Sequence, residues 1–355
     1  MELMPSLSRS SGLDKDGDSF KNLRTQEQYR DFIQTKVRNR ELEVRWPIQS
    51  GADLTVVDVK QRDEVEANLL ILFRKLREGL LATSRRDPFA LEVYETSLHL
   101  SILFNSPSQT TSIISHLLPQ AYLSPSTSSA SPPPLPSSAS TSVLLSCLHF
   151  LVTAYPSQSR YAEHLASLGS TFLPPTAPHR QWLNDLTRTL RLRNYAKLEM
   201  LTNQDALSKL IPLNGSSKFP SSRNLAHDAL EAIVEALRAK ARETTWSVIR
   251  SAYRELHCPS SQVLGPSASD TTDSKNTPSP LAVENSFWLC RSLALHSLVE
   301  DGSGGKGEGG TITATTTRVD VVAAWLTQRS TAGEVRLKEG TSDRWIVCKV
   351  LPAKG

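Results

Sequence analysis

Apolar residues recur at three- and four-residue steps through most of this chain, the spacing that lines one face of a helix. Residues 25–39 carry Tyr29, Phe32, Ile33 and Val37 on one face, and Trp46-Pro47 lies beyond the end of that helix. Residues 61–83 follow with Val65, Leu69, Leu72, Phe73, Leu76 and Leu80. Asp87-Pro88 reads as an N-cap with proline in the first helical position. The helix it starts carries Leu91, Tyr94, Leu98, Ile102 and Leu103. Asn105-Ser106-Pro107 ends that helix and opens the next, where Ile113, Ile114, Leu117 and Leu118 precede Pro119. Val143–Tyr155 is apolar on most faces, which predicts a central helix, and residues 159–169 add a short one. Gln181–Leu201 offers Trp182, Leu183, Leu186, Leu190, Tyr195 and Leu198 to a core. Asp228–Leu256 has the strongest periodicity, as one helix or as two with a kink near Thr244-Thr245. Leu281–Leu298 is a further helix, containing Phe287, Trp288, Leu289, Leu293 and Leu295.

The last forty residues change period. An apolar helical stretch, Val319–Leu326, is followed by Glu334–Lys338, a polar turn over Glu339–Asp343 and then Arg344–Val350. Alternation on both sides of a glycine-containing turn predicts a β-hairpin. Paired helices that end in helix-then-hairpin predict an all-α fold: a helical-repeat (TPR-like) solenoid capped by a C-terminal winged helix with a small β-hairpin. The solenoid rests on this pattern, because no self-similar repeat is visible in the letters.

Composition sets the boundaries. Hydrophobic residues make up 39 % of 355, and the deficit is local. Residues 1–24 are read as a disordered N-terminus, and 25–258 as the helical-repeat domain. Within that domain, 124–142 is Ser, Pro, Ala and Thr apart from Leu135, a composition that cannot build a core and reads as a disordered insert. On that reading, deleting 125–140 leaves thermal stability nearly unchanged. Residues 259–280 form a linker, and 281–355 the winged-helix domain with a flexible Gly-rich loop over 301–317. The N-terminal Met-Glu-Leu-Met-Pro lacks the apolar segment of a signal peptide, and Val143–Ala154 is too short and polar to span a bilayer. A nuclear or cytoplasmic protein without membrane contact is expected.

Net charge is +4, too mild by itself to indicate nucleic acid. Cys147, Cys258, Cys290 and Cys348 are scattered without a CxxC pair, which predicts free thiols, buried in a reducing compartment. No P-loop, GxGxxG, HExxH or GxSxG occurs. Asp301–Gly310 has glycines and a lysine but no Gly-Lys-Ser/Thr ending, and Asp14–Asp18 lacks the glutamate that closes a calcium loop. The eight histidines are dispersed. Ser146-Cys147 with His149 lies within one helical stretch and implies no oxyanion donor. No catalytic residue, cofactor or metal is expected, and the chain does not read as an enzyme.

The order of motifs carries a resemblance. Phe89–Tyr122, FALEVYETSLHLSILFNSPSQTTSIISHLLPQAY, resembles the helix pair of the SAC/GANP-type PCI proteins, in which a Tyr-Glu-Thr-like segment leads a helix and an aliphatic helix ends near Leu-Tyr. RNYAKLEMLT (Arg193–Thr202) is similar to that family's Asn-Tyr segment. ALRAKARETTWSVIRSAYRE (Ala236–Glu255) is similar to its Ala-Tyr-Arg-terminated helix, and WLCRSLAL (Trp288–Leu295) to its first winged-helix segment. Where the family pattern has Gly-Asp and a Phe-Asn-Gln-Cys-like run, this chain has Asn105-Ser106-Pro107-Ser108-Gln109. Small PCI subunits of the proteasome lid, the COP signalosome and initiation factor three share the plan. The resemblance implies a non-catalytic scaffold subunit of a multiprotein complex, linked to messenger-RNA export or processing or to one of those other assemblies. Its partners would be protein subunits, held through the winged helix and the helical face.

Basic residues are the remaining site-like feature. The hairpin carries Arg336, Lys338, Arg344 and Lys349 around Trp345, and the helix at 181–201 carries Arg188, Arg191, Arg193 and Lys197 beside Asp185 and Glu199. Such a wing can contact RNA or DNA phosphates while an aromatic ring stacks on bases. The alternative is a solvated hairpin and a solvated helix face, with Trp345 on the inner face it shares with Val347.

Overall fold

The computed structural model describes residues 20–43, 56–118, 122, 137–211, 225–260, 279–295 and 310–348. Among them are twelve helices and three short strands, so the chain is all-α apart from one small sheet. The helices are α1 (Leu23–Glu43), α2 (Val56–Ala82), α3 (Pro88–Leu103), α4 (Pro107–His116), α5 (Ser137–Ala154), α6 (Ser159–Phe172), α7 (Pro178–Arg191), α8 (Tyr195–Leu201), α9 (Gln204–Leu210), α10 (Leu225–Ala252), α11 (Pro280–Leu293) and α12 (Gly310–Thr331). The strands are β1 (Glu255–His257), β2 (Val335–Leu337) and β3 (Arg344–Val347). No helix among the described residues is long and apolar enough to cross a membrane. The chain forms two compact units, 1–181 with 208–234 and 182–207 with 235–355.

In the first unit, each helix from α1 to α6 packs on the next in the chain. The caps are those the sequence prescribes at α3, where Asp87 accepts the Ala90 amide at 2.9 Å and Pro88 follows. Phe20 is fully buried, its ring edge-on to Tyr29 at 4.9 Å. Its Cβ and carbonyl lie only 3.2 Å from where a side chain on Gly79 would begin, so the glycine permits the approach. The polar N-terminus read as disordered through residue 24 is therefore ordered from Phe20, because one aromatic finds a slot on α2. The composition-based insert likewise ends early. α5 starts at Ser137, and Ala139 and Ser142 are buried. Tyr122 donates to Glu95 at 2.6 Å and accepts from the Ser142 hydroxyl at 2.9 Å, so a hydroxyl that reads as linker is a tie to the core. Residues 1–19, 124–136 and 261–278 lie outside the described residues, as do 301–309 and Lys349.

The second unit corrects several boundaries. The helix expected over 181–201 is two helices. Arg193 adopts φ 52, and Asn194 caps α8 by accepting the Lys197 amide at 3.0 Å. α9 was not anticipated, although Asn203 caps it at the Ala206 amide. α10 is continuous through Thr244-Thr245, where both hydroxyls turn back onto the carbonyls four residues earlier. It then ends short of Leu256, which lies in β1. α11 stops at Leu293, where Ala294 turns left-handed at φ 48. α12 reaches back to Gly310, into the stretch read as flexible loop. Ser260 is buried and pairs with Ser342, and Ser279 caps α11, so both ends of the expected 259–280 linker belong to folded elements.

The sheet has order β1-β3-β2, antiparallel throughout. Leu256 lies opposite Trp345, and Val335 opposite Val347. These four face a core of Trp246, Ile249, Leu289, Leu293, Val322 and Leu326. Each such leucine contributes about 1.5–3 kcal/mol by leaving water. This shared core is why the second half of α10 and β1 belong with the C-terminal unit and not with a helical domain ending at 258. Gly340, at φ 74, makes the turn of the β2–β3 hairpin.

Ionised groups fix the unit internally. Arg238, 1 % exposed, donates to the Thr202 carbonyl at 3.3 Å and the Ala294 carbonyl at 2.8 Å. Arg242 donates to Leu293 and Ala294 carbonyls, both at 2.9 Å. Cations thus meet the negative ends of α8 and α11. At the hairpin base, the Glu334 carboxylate accepts Trp246 Nε1 and Arg250 Nη1, both at 2.8 Å, and Arg329 Nη1 at 3.2 Å. Arg329 also pairs with Glu243 and lies 4.0 Å over the Trp325 ring.

Three predictions follow from this packing. Glu334→Ala leaves the largely buried Arg250 without its carboxylate partner and Arg329 with Glu243 alone. It is expected to cost about 3 kcal/mol, read as a lower denaturant midpoint for the transition that reports on Trp246. A deletion of 125–140 is expected to melt several degrees below a deletion of 125–136, since it alone removes the first turn of α5. Equal melting temperatures would contradict the burial of Ala139. His99, His149 and His164 are each driven by burial from the ordinary 6.5 to about 4. The fold holds them neutral, and the unfolded chain protonates them first as pH falls. Their stabilisation is complete above pH 6.5 and is lost between 6.5 and 4. Urea unfolding at pH 7, 5.5 and 4.5 should give falling midpoints, with the loss reduced in a His149→Gln, His164→Gln variant.

Candidate interaction surface

Along β1 and its two flanking residues, Arg254, Leu256 and Cys258 turn their main chain toward β3. The Arg254 carbonyl accepts the Val347 amide at 2.9 Å, and the Cys258 amide donates to Asp343 at 2.8 Å. The intervening Glu255 and His257 therefore direct their main-chain N–H and C=O away from the sheet, along its edge. Beside this edge lies a cavity of about 400 Å³ bounded by β1, Tyr253 and the Asn285 and Trp288 side chains of α11. Tyr253 and Trp288 are 45 % and 42 % exposed, with ring centroids 5.6 Å apart.

This aromatic pair is absent from the sequence-derived site. Trp288 reads there as part of an apolar helix. Its signal is positional: Ala282, Ser286, Leu289, Cys290 and Leu293 form the buried face of α11, whereas Leu281 and Trp288 fall on the other. Tyr253 carries no comparable signal, because it follows the last turn of α10 and is aimed by the chain reversal into β1.

The basic residues separate by environment. Arg336 and Arg344 are exposed on the outer face of the sheet, with no ion pair to either among the described residues. Lys338 is engaged, its Nζ 3.0 Å from Glu255. That hydrogen bond is the main cause holding the Glu255 carboxyl below its ordinary range. Trp345 is 3 % exposed and donates its indole N–H to the Cys258 carbonyl at 2.9 Å. Its ring is part of the core, on the face shared with Val347, and cannot stack on a base. Arg188 and Arg191 are exposed near the end of α7, and Lys197 on α8 reaches Asp185 at 3.3 Å. That helical face thus mixes signs.

Other chemistry-bearing groups are spoken for. Ser146 donates to the Val143 carbonyl at 2.8 Å and receives His164 Nε2 at 2.9 Å, so its proton is not directed to a base. Cys147, Cys258 and Cys290 are buried, which pushes their thiols up to about 12, 11 and 11, and Cys348 is half-buried. His227, Asp228 and Glu231 bring ligand atoms within 4.8 Å of one another, an arrangement that one helical turn gives without any ion. Comparison with known proteins finds no matching family model, no matching curated protein and no matching solved structure.

Proposed function

We propose that the chain is a non-catalytic, PCI-like scaffold subunit of a multiprotein complex, nuclear or cytoplasmic and linked to messenger-RNA export or processing. The observation that carries this reading is the edge of β1 that no described strand pairs, with outward main-chain groups at Glu255 and His257 beside the exposed Tyr253–Trp288 pair. A partner strand laid along such an edge gains main-chain hydrogen bonds, and an adjacent aromatic pocket selects a side chain. Exposed tryptophan and tyrosine are also the residues most often found as interface anchors. The order α10–β1–α11–α12–β2–β3, with β3 central, supports a winged-helix reading of the second unit. Chain-sequential packing of α1 to α6 supports a helical-repeat reading of the first. A subunit of a proteasome-lid, COP-signalosome or initiation-factor-three type assembly would use the same edge.

A second reading, direct nucleic-acid binding, draws on the unpaired Arg336 and Arg344. It is weakened by the loss of Trp345 to the core and by the pairing of Lys338 with Glu255.

Affinity purification of the tagged protein from its own cells, with and without nuclease, separates these readings and names the complex. Nuclease-resistant recovery of a defined set of subunits is expected. Tyr253→Ala with Trp288→Ala should cut that recovery at least tenfold, on the order of the loss of one anchor residue. Arg336→Ala with Arg344→Ala should leave it unchanged. Recovery that vanishes with nuclease and depends on the two arginines would overturn the scaffold reading.

A further inference from the structure

The first unit contains a cavity of about 470 Å³ lined by α2, α3 and α4, well away in sequence from the edge of β1. Arg77 lines it and is only 7 % exposed, yet no carboxylate pairs with it among the described residues. Its Nη2 reaches Gln109 Oε1 at 3.4 Å, and its Nε has no hydrogen-bond partner among the described residues. Glu78, the one carboxylate among the described residues lining the cavity, is bonded by Arg74 Nε at 3.0 Å and acts on Arg77 only at a distance. Half-buried arginines of this unit are treated differently: Arg30 pairs with Glu92, and Arg85 with both Glu27 and Asp87. Burial lowers the Arg77 pKa to about 10, so the group keeps its charge at neutral pH. A buried, charged group without a counter-ion costs stability, and a structure that keeps one has a use for it.

A second, independent feature opens on the same cavity. α4 begins with Pro107, which has no N–H, and Ser106 makes no side-chain cap. The amides of Ser108 and Gln109 are thus first-turn donors without an intrahelical acceptor. Both residues line the cavity, with Ser112 one turn further along the same face. The positive end of a helix and a guanidinium without a paired carboxylate therefore converge on one space that, among the described residues, supplies no free anion of its own.

We propose that this cavity binds a phosphoryl group, with the Arg77 guanidinium and the Ser108 and Gln109 amides as its donors. A tetrahedral dianion offers oxygens to donors arriving from different helices, whereas a planar carboxylate would satisfy the arginine alone. The volume exceeds that of phosphate itself, so the group is carried on something larger. Its source is either a small phosphorylated molecule or a phosphorylated side chain.

The test is thermal unfolding of the full chain in inorganic phosphate against chloride at equal ionic strength. At phosphate tenfold above its dissociation constant, Tm should rise by about 3 °C. Arg77→Met should abolish that rise without lowering Tm in chloride, because it removes a charge that costs stability there. Gln109→Glu places a carboxylate where the Arg77 contact already is. It should raise Tm in chloride and abolish the phosphate response, and it decides the matter even if Arg77→Met fails to fold. A phosphoserine peptide effective at tenfold lower concentration than phosphate would assign the group to a polypeptide, and equal potency would assign it to a free small molecule. A wild-type Tm indifferent to phosphate, or a phosphate response that survives Gln109→Glu, overturns the proposal.

Discussion

Cations placed where main-chain carbonyls run out hold the second unit together. A helix leaves its last carbonyls without donors, and burying such an end is costly unless something supplies them. Arg238 and Arg242 supply them from the side, two residues of one helix reaching the end of α11, with Arg238 reaching the end of α8 as well. The direction of α11 is thereby fixed, and so is the position of Trp288 beside β1. Glu334 extends the same logic to the sheet. It collects two arginines and the Trp246 indole, while its own carbonyl accepts the Cys348 amide. Remove the charges, and the sheet keeps its apolar face but loses what sets its angle to α10.

The first unit treats burial in two ways. Burial keeps His99, His149 and His164 neutral, and the neutral rings of His149 and His164 still donate one hydrogen bond each, to Thr111 and Ser146. Arg77 cannot follow them, since a guanidinium gives up its proton only far above neutrality. The same desolvation that silences three histidines therefore leaves one arginine charged and short of a partner.

Much of this fold was legible in the letters, and the failures share a cause. Long helices such as α2, α3 and α10 announce themselves by period, and Asp87-Pro88 fixes a start to the residue. The hairpin also came through, with Trp345 on its inner face. What the period hides is anything whose order depends on distant contacts. β1 is three residues long, and Leu256 fits a helical step from Ala252 as well as it fits a strand. Phe20 and Ser142 sit in polar stretches and are ordered by Gly79 and Tyr122, far along the chain. The Gly310 end of α12 is poor in good helix formers, and composition alone reads it as loop. At the candidate surface, charge drew attention to Arg336 and Arg344, while the exposed aromatics were masked by the assumption that tryptophan in an apolar helix is core.

The strand order β1-β3-β2 also has a consequence in time. Neither edge strand touches the other, so no pairing exists until the central strand, last in chain order, has been made. Cys258 and Trp345, which meet across the finished sheet, are 87 residues apart. At ribosomal speeds of roughly 5–20 residues per second, that separation leaves β1 without its pairing strand for roughly 4–17 s. During that interval a chaperone, or the partner's own strand, has first access to an edge that the completed protein offers on one side only.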